Sequence, residues 1–255
     1  MAVMSLASAG TGVDSIIKFL STTAGRDKFN RFIQFFTRFL ISFGEKRGFS
    51  KELLARLTAL MNATSQARKL MFLGRQVEFI RSAQKALSLQ DEIVRLAVFS
   101  KSIFLSLWLS CDFMLWIHTV GIAKFDTIKD ITRRSNRFWL CSLVASLMGT
   151  VYKLRNINHR SAQEIKVYKA IVSNKLTDEA VSTVDKTISK LNSERKALFI
   201  SAIQDSIDLL IPATGLGYIT VDSGVIGIAG AITSLIGASC YIYMSYYWIV
   251  REQND

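Results

Sequence analysis

Pro212 is the only proline in a chain of 255 residues. Proline ends or kinks helices, and sheets need turn residues at short intervals. A chain almost free of it, with its glycines gathered late, is therefore built to run as long helices. The expected fold class is all-α.

What the helices lie in follows from composition. Half of the residues are hydrophobic and mean hydropathy is +0.27, yet 32 Lys and Arg against 20 Asp and Glu leave a formal charge of +12. Apolar and basic together point to a membrane with an anionic surface, which takes the side chains into hydrocarbon and draws the charge to its headgroups. Nucleic acid is the other polyanion to weigh. Cys111, Cys141 and Cys240 lie in apolar stretches without disulfide or metal-ligand spacing, which favours a reducing compartment. The start, "MAVMSLASAG", lacks the pattern of a secretory signal, and the end, "REQND", carries no retention tripeptide, so any address is expected to be internal.

The clearest membrane candidate is 223 to 250, 28 residues without a charge. As a helix it would be about 42 Å long, enough to cross a hydrocarbon core of about 30 Å. Tyr241, Tyr243, Tyr246, Tyr247 and Trp248 enrich its end as at a headgroup interface, and Arg251 follows. In its first half Gly224, Gly227, Gly230, Ser234 and Gly237 set small residues on one side, a groove for close helix packing. The partner is left open between another helix of this chain and a second copy. Two shorter apolar segments precede it. In 93 to 118, Lys101 and Asp112 interrupt the run, which argues against a simple lipid-exposed span. The segment 138 to 152 is free of charge but only 15 residues long, with basic flanks. It is read as a short span, a re-entrant helix or an interfacial helix.

Near the N-terminus the periodicity is amphipathic. Phe29, Phe32, Ile33, Phe36, Phe39, Leu40 and Phe43 build one face of a helix, with Phe35 and Ile41 widening it, while Asp27, Arg31, Gln34, Arg38 and Ser42 follow the opposite face. A second stripe aligns Leu70, Leu73, Val77, Ile80 and Leu87. Residues 1 to 85 carry 14 Lys and Arg against 5 Asp and Glu, a bias expected to face the cytosol. Both faces can serve lipid insertion. On periodicity alone, packing as a helical bundle with a solvated basic exterior is favoured. The chain divides into basic amphipathic helices over 1–92, a membrane-associated hairpin over 93–157, an amphipathic region over 158–212, and a glycine-rich transmembrane helix with a short tail over 213–255.

Enzyme chemistry has little support. His118 and His159 are the only histidines, and HExxH, CxxC and GxxxxGK[ST] are absent. Asp205 and Asp208 share a helix face, where capping or pairing with Lys196 or Arg195 is the expected role. No cofactor or metal is called for. A nucleic-acid partner would leave 223 to 250 unexplained. A channel is the stronger rival, because Lys101, Asp112 and Glu164 lie in or near apolar stretches, and charges there often line water-filled paths.

Several pieces in order, "GRDKFNRFIQFFTRFL" at 25–40, "ARKLMFLGRQVEFIRSAQKAL" at 67–87, "DFMLWIHTVGI" at 112–122, "RFWLCSLVASLMGTVYKLRNI" at 137–157, "ERKALFISAIQDSIDLLIP" at 194–212 and "GVIGIAGAITSLIGAS" at 224–239, resemble the peroxin eleven family. Its members are peroxisomal membrane proteins that elongate and proliferate peroxisomes. The resemblance implies residence in the peroxisomal membrane with the N-terminal region cytosolic, and remodelling by helix insertion and self-association. On that reading Phe29, Phe32, Phe36, Phe39 and Leu40 enter lipid, while Arg26, Lys28, Arg31 and Arg38 hold headgroups. The implied partners are anionic lipid, further copies of the chain, the import receptor for peroxisomal membrane proteins and dynamin-type fission machinery, with no nucleic acid. Pore activity for small metabolites is also compatible with the resemblance.

Overall fold

The computed structural model describes residues 13–14, 16–173 and 178–252, without the side chains of 171–172, 178–180 and 240–252. All regular structure among them is helical. After a helical stretch over 16–21, eight helices follow: α1 Thr23–Arg47, α2 Lys51–Met71, α3 Arg75–Ala86, α4 Glu92–Val120, α5 Ile128–Ser173, α6 Asp178–Asp208, α7 Leu210–Gly215 and α8 Ser223–Glu252.

Their limits have local causes. The Thr22 hydroxyl accepts from Gly25 N–H, Ser50 from Leu53 N–H, and the Asp91 carboxylate from Ile93 and Val94 N–H, which starts α1, α2 and α4. Gly48, at φ 75°, closes α1 in the left-handed conformation and lets the chain reverse into α2 within three residues. Pro212 has no N–H to offer the Asp208 carbonyl, so the long helix stops at Asp208 and resumes as the short α7. The stripe from Leu70 to Leu87 is divided between α2 and α3 by the turn at 72–74.

The helices pack in sequence-adjacent pairs that close on themselves. α1 lies against α2 and α8, α8 against α6, α6 against α5, α5 against α4, α4 against α3 and α2, with α7 wedged among α5, α6 and α8. The α4–α5 hairpin is antiparallel: Lys101 meets Ser146, Trp108 stacks on Trp139 at 5.4 Å between centroids, and Asp112 meets Ser135. α8 runs antiparallel to α1 in an equally regular register, with Gly237 at Lys28, Gly230 at Phe35, Gly227 at Phe39 and Gly224 at Ser42. The small-residue side of α8 thus meets a helix from the opposite end of the same chain.

The interior is not oily. Ser102, Ser106, Ser135, Ser142, Ser146, Thr150, Thr233 and Ser234 are buried together with Asp27, Arg31 and Asp208. One buried apolar cluster is formed by Phe35, Ile226 and Ala231, with Phe32, Ile211 and Val221 against it, and Phe19, Leu109, Ile131, Leu143, Ile157 and Leu191 are buried elsewhere. Large apolar side chains are turned out instead, among them Phe29, Val77, Leu96, Met148 and Phe199. The basic exterior expected of the N-terminal third holds for Lys46, Arg47, Lys51, Arg56, Arg81 and Lys85, which are exposed, whereas Asp27 and Arg31 on the polar side of α1 face in.

Among the described residues, two helical segments are long and apolar enough to cross a membrane, Glu92–Val120 and Val181–Gly215. The doubt raised over the first by Lys101 and Asp112 is answered by their placement, since both are hydrogen-bonded to serines of α5. The second lies mostly within the amphipathic region expected over 158–212. α8 is continuous over Ser223–Glu252, and its side-chain-described part, Ser223–Ser239, is apolar but shorter than a span. The aromatic end from Tyr241 to Trp248, with Cys240 and Arg251, lies outside the described side chains.

Candidate functional site

α1 is where the chain's polarity is sorted most sharply. Its outer side carries a ladder of rings. Phe32 stacks on Phe36 at 5.6 Å between centroids, and Phe36–Phe39 at 6.2 Å, Phe39–Phe43 at 5.9 Å and Phe43–Phe49 at 6.2 Å continue it around the turn into α2. Gly44 makes that turn possible, because a Cβ there would sit 2.4 Å from the Phe49 ring. Phe29, Phe36 and Phe43 are 51, 43 and 39% exposed, whereas Phe32, Phe39 and Leu40 are half-buried. Phe35, projected from the sequence as widening this outer face, is buried against Gly230 of α8.

The inner side of α1 is held by charge. Arg31, 5% exposed, donates through Nη2 to Asp208 Oδ1 at 2.6 Å, and Thr233 of α8 donates to the same oxygen at 2.7 Å. Asp27 accepts from Arg68 Nε of α2 at 2.7 Å, and Arg68 Nη1 reaches Gln34 Oε1 at 2.8 Å. Burial holds the Arg68 guanidinium below its ordinary value, with Asp27 opposing the shift. Burial likewise lowers Lys28, and the neighbouring Arg31 adds to the effect. Further along, Lys46 reaches Asp222 at 2.7 Å and Arg38 Nε donates to Ser223 Oγ at 3.0 Å, fixing α1 to the start of α8. The bond from Lys46, then those from backbone N–H groups such as Gly224, hold the Asp222 carboxyl below the usual range.

The cations assigned to headgroups therefore have distinct placements. Arg26 is exposed and caps the preceding helical stretch through Leu20 and Ser21 carbonyls. Lys28 lies beside Gly237, Arg38 is half-buried, and Arg31 is inside the protein. Asp208, expected to pair within its own helix, pairs instead across the fold with Arg31.

A second polar seam joins the apolar helices. Lys101 donates to Ser146 Oγ at 2.8 Å, and Ser146 donates to Asp205 Oδ2 at 2.5 Å, linking α4, α5 and α6. Sequence reading flagged Lys101 and Asp205 separately but had no signal for Ser146, one serine among many. Among the described residues, no group of three His, Cys, Asp or Glu side chains could hold a metal ion.

On α1 ionic bonds face in while Phe29, Phe36 and Phe43 face out, an arrangement suited to an apolar surround. Comparison with known proteins agrees, since residues 13–241 match Peroxisomal biogenesis factor 11 (PEX11). The chain belongs to the PEX11 family. Peroxisomal membrane protein 11A of Bos taurus is 23% identical over 91% of the chain and 97% of its own length. Peroxisomal membrane protein PMP30B of Candida boidinii is 24% identical over 88% and 92%. Peroxisomal membrane protein 11B of Homo sapiens is 22% identical over 91% and 97%. No solved structure matches this PEX11-family chain.

Proposed function

We propose that this chain is a peroxisomal membrane protein that elongates the organelle membrane through the phenylalanine ladder of α1, with copies associating to concentrate the effect. The peroxisomal membrane setting follows the relatives' names. The observation that carries the remodelling reading is the exposure of Phe29, Phe36 and Phe43 on a helix whose polar side is pinned to Asp208 and Asp222. Each such ring gains about 1.5 to 3 kcal/mol when fully removed from water. The ionic bonds on the inner side mean that α1 enters one leaflet as part of the body and not as a detached helix. Apolar side chains seated to a depth of about 5 to 10 Å expand that leaflet against the other, which favours curvature. The basic N-terminal third faces the cytosol and anionic lipid in this reading, and the import receptor and dynamin-type fission machinery act on it there.

The test is reconstitution of the full chain into anionic vesicles, followed by electron microscopy. Wild type is expected to draw tubules, and Phe29→Glu with Phe36→Glu to leave vesicles round while still inserted. Tubules from the double variant would overturn the reading.

A second reading, a pore for small metabolites, is favoured by the seam Lys101–Ser146–Asp205 between helices able to span. It predicts size-selective flux that Lys101→Leu or Asp112→Leu abolishes.

A further inference from the structure

Behind the inner side of α1 lies a partly open cavity of about 260 Å³, lined by α1, α2, α4, α5 and α7. Its wall includes Arg31, Arg38, Arg68 and Lys69, and Asp112 is the one carboxylate lining it. Arg31 and Arg68 are matched by Asp208 and Asp27, and Asp112 accepts from Ser135. Arg38 is bonded through Nε to a neutral hydroxyl, that of Ser223, and Lys69 makes no hydrogen bond or ion pair among the described residues. The four cations thus outnumber Asp27, Asp112 and Asp208 together, and Lys28 stands within electrostatic reach of Arg31.

A positive excess in a partly open cavity favours an anion. Guanidinium does not release its proton, and half-buried charges gain from a partner of opposite sign. Planar guanidinium forks and an ammonium that line one cavity from two helices suit the several oxygens of a phosphoryl group. Asn136, whose amide has no hydrogen bond among the described residues, adds a neutral donor to the same wall. A neighbouring cavity of about 330 Å³ shares Gln34, Phe35, Arg38 and Ser65 with the first and continues between α1 and α2 past Ile41 and Met61. Arg38 stands at the junction of the two.

We infer that this cavity is a phosphate-group site, which takes either the phosphoryl headgroup of an anionic lipid or a small soluble phosphate ester. It is distinct from the outward phenylalanine ladder. Its absence would leave the remodelling reading untouched, and the reverse also holds.

The test uses the full chain in phosphatidylcholine nanodiscs doped with phosphatidic acid, with bound lipid read by native mass spectrometry. Phosphatidic acid is expected to be retained over phosphatidylcholine. Arg38→Gln with Lys69→Gln should lower that retention about tenfold or more, the effect of losing charge-assisted bonds to the ligand. Arg81→Gln with Lys85→Gln, both exposed on α3, should leave it unchanged. Displacement of the lipid by glycerol 3-phosphate would place soluble phosphate esters among the ligands, and lipid retained against it would assign the site to headgroups. Retention by the Arg38 and Lys69 variant equal to wild type, or equal retention of oleate, a carboxylate amphiphile, would overturn the inference.

Discussion

Arg31 of α1 and Asp208 of α6 are 177 residues apart in the chain and 2.6 Å apart in space, and the Thr233 hydroxyl of α8 closes on the same carboxylate oxygen. Three helices from the two ends of the sequence are thereby tied at one buried point. A buried pair is costly to break, because removing one member strands the other charge, whereas replacing both with apolar groups of similar size is close to neutral.

Arg31→Met alone is therefore expected to destabilise the protein by about 3 to 5 kcal/mol, and Arg31→Met with Asp208→Leu by much less. Thermal unfolding of the detergent-solubilised chain would show this as a melting temperature lost in the single variant and largely regained in the double. Equal loss in both would mean that the pair is worth no more than its packing volume.

The α1–α8 contact makes a sharper steric prediction. A Cβ at Gly227 would lie 2.5 Å from Phe39 N, a backbone atom that cannot move unless the whole helix moves. At Gly224 the nearest atoms are side-chain oxygens of Asp222 and Ser42 at 3.0 and 3.1 Å, which can shift. Gly227→Ala is expected to cost about 1 to 3 kcal/mol, in the range of overpacked cores, and Gly224→Ala distinctly less. A cysteine pair at Lys28 and Gly237 reports the contact directly, since its crosslinking should fall in Gly227→Ala.

These cases show where the sequence was legible and where it was not. Near absence of proline and the spacing of Phe29, Phe36 and Phe43 were enough for an all-helical chain with a phenylalanine face. Periodicity cannot say which face is inside, since that depends on whether the surroundings are water or hydrocarbon. It therefore set Asp27 and Arg31 on a polar face that the fold turns inward. The small-residue side of α8 was visible as a contact, but its occupant was not, because α1 is nearly two hundred residues upstream. Asp208 was visible only as one of two carboxylates on its own helix and Thr233 not at all, as their roles exist only once three helices meet.

Acid should loosen one end of that contact. Asp222 is held below the ordinary carboxylate range by Lys46, and an acid with a depressed folded-state pKa contributes stability above its unfolded value, near 3.9. That contribution is lost as pH falls through the lower folded value. The latch between α1 and the start of α8 is thus intact at neutral pH and weakens as pH falls below the ordinary carboxylate range. The protection factors of the amides at 223–226, exchange rates taken relative to the intrinsic rate at each pH, should fall on acidification from pH 6 to pH 3. In Lys46→Ala, protection there should already be lower at pH 6 and change less.

The inverted interior makes the last prediction. Leu96 of α4 and Met148 of α5 are 67 and 68% exposed, whereas Ser106 and Ser142 on the same two helices are buried. In a water-soluble bundle the apolar pair would be the hidden one. In lipid, helices associate instead through small and polar side chains while large apolar ones meet the hydrocarbon. Single cysteines placed at Leu96 and Met148, in a chain whose own cysteines are replaced, should react with a membrane-dissolved maleimide and resist a charged, impermeant one. Cysteines at Ser106 and Ser142 should react with neither. Ready labelling of Leu96→Cys by the charged reagent would mean that α4 faces water, and the α4–α5 hairpin would then have to be read as a cytosolic or lumenal element.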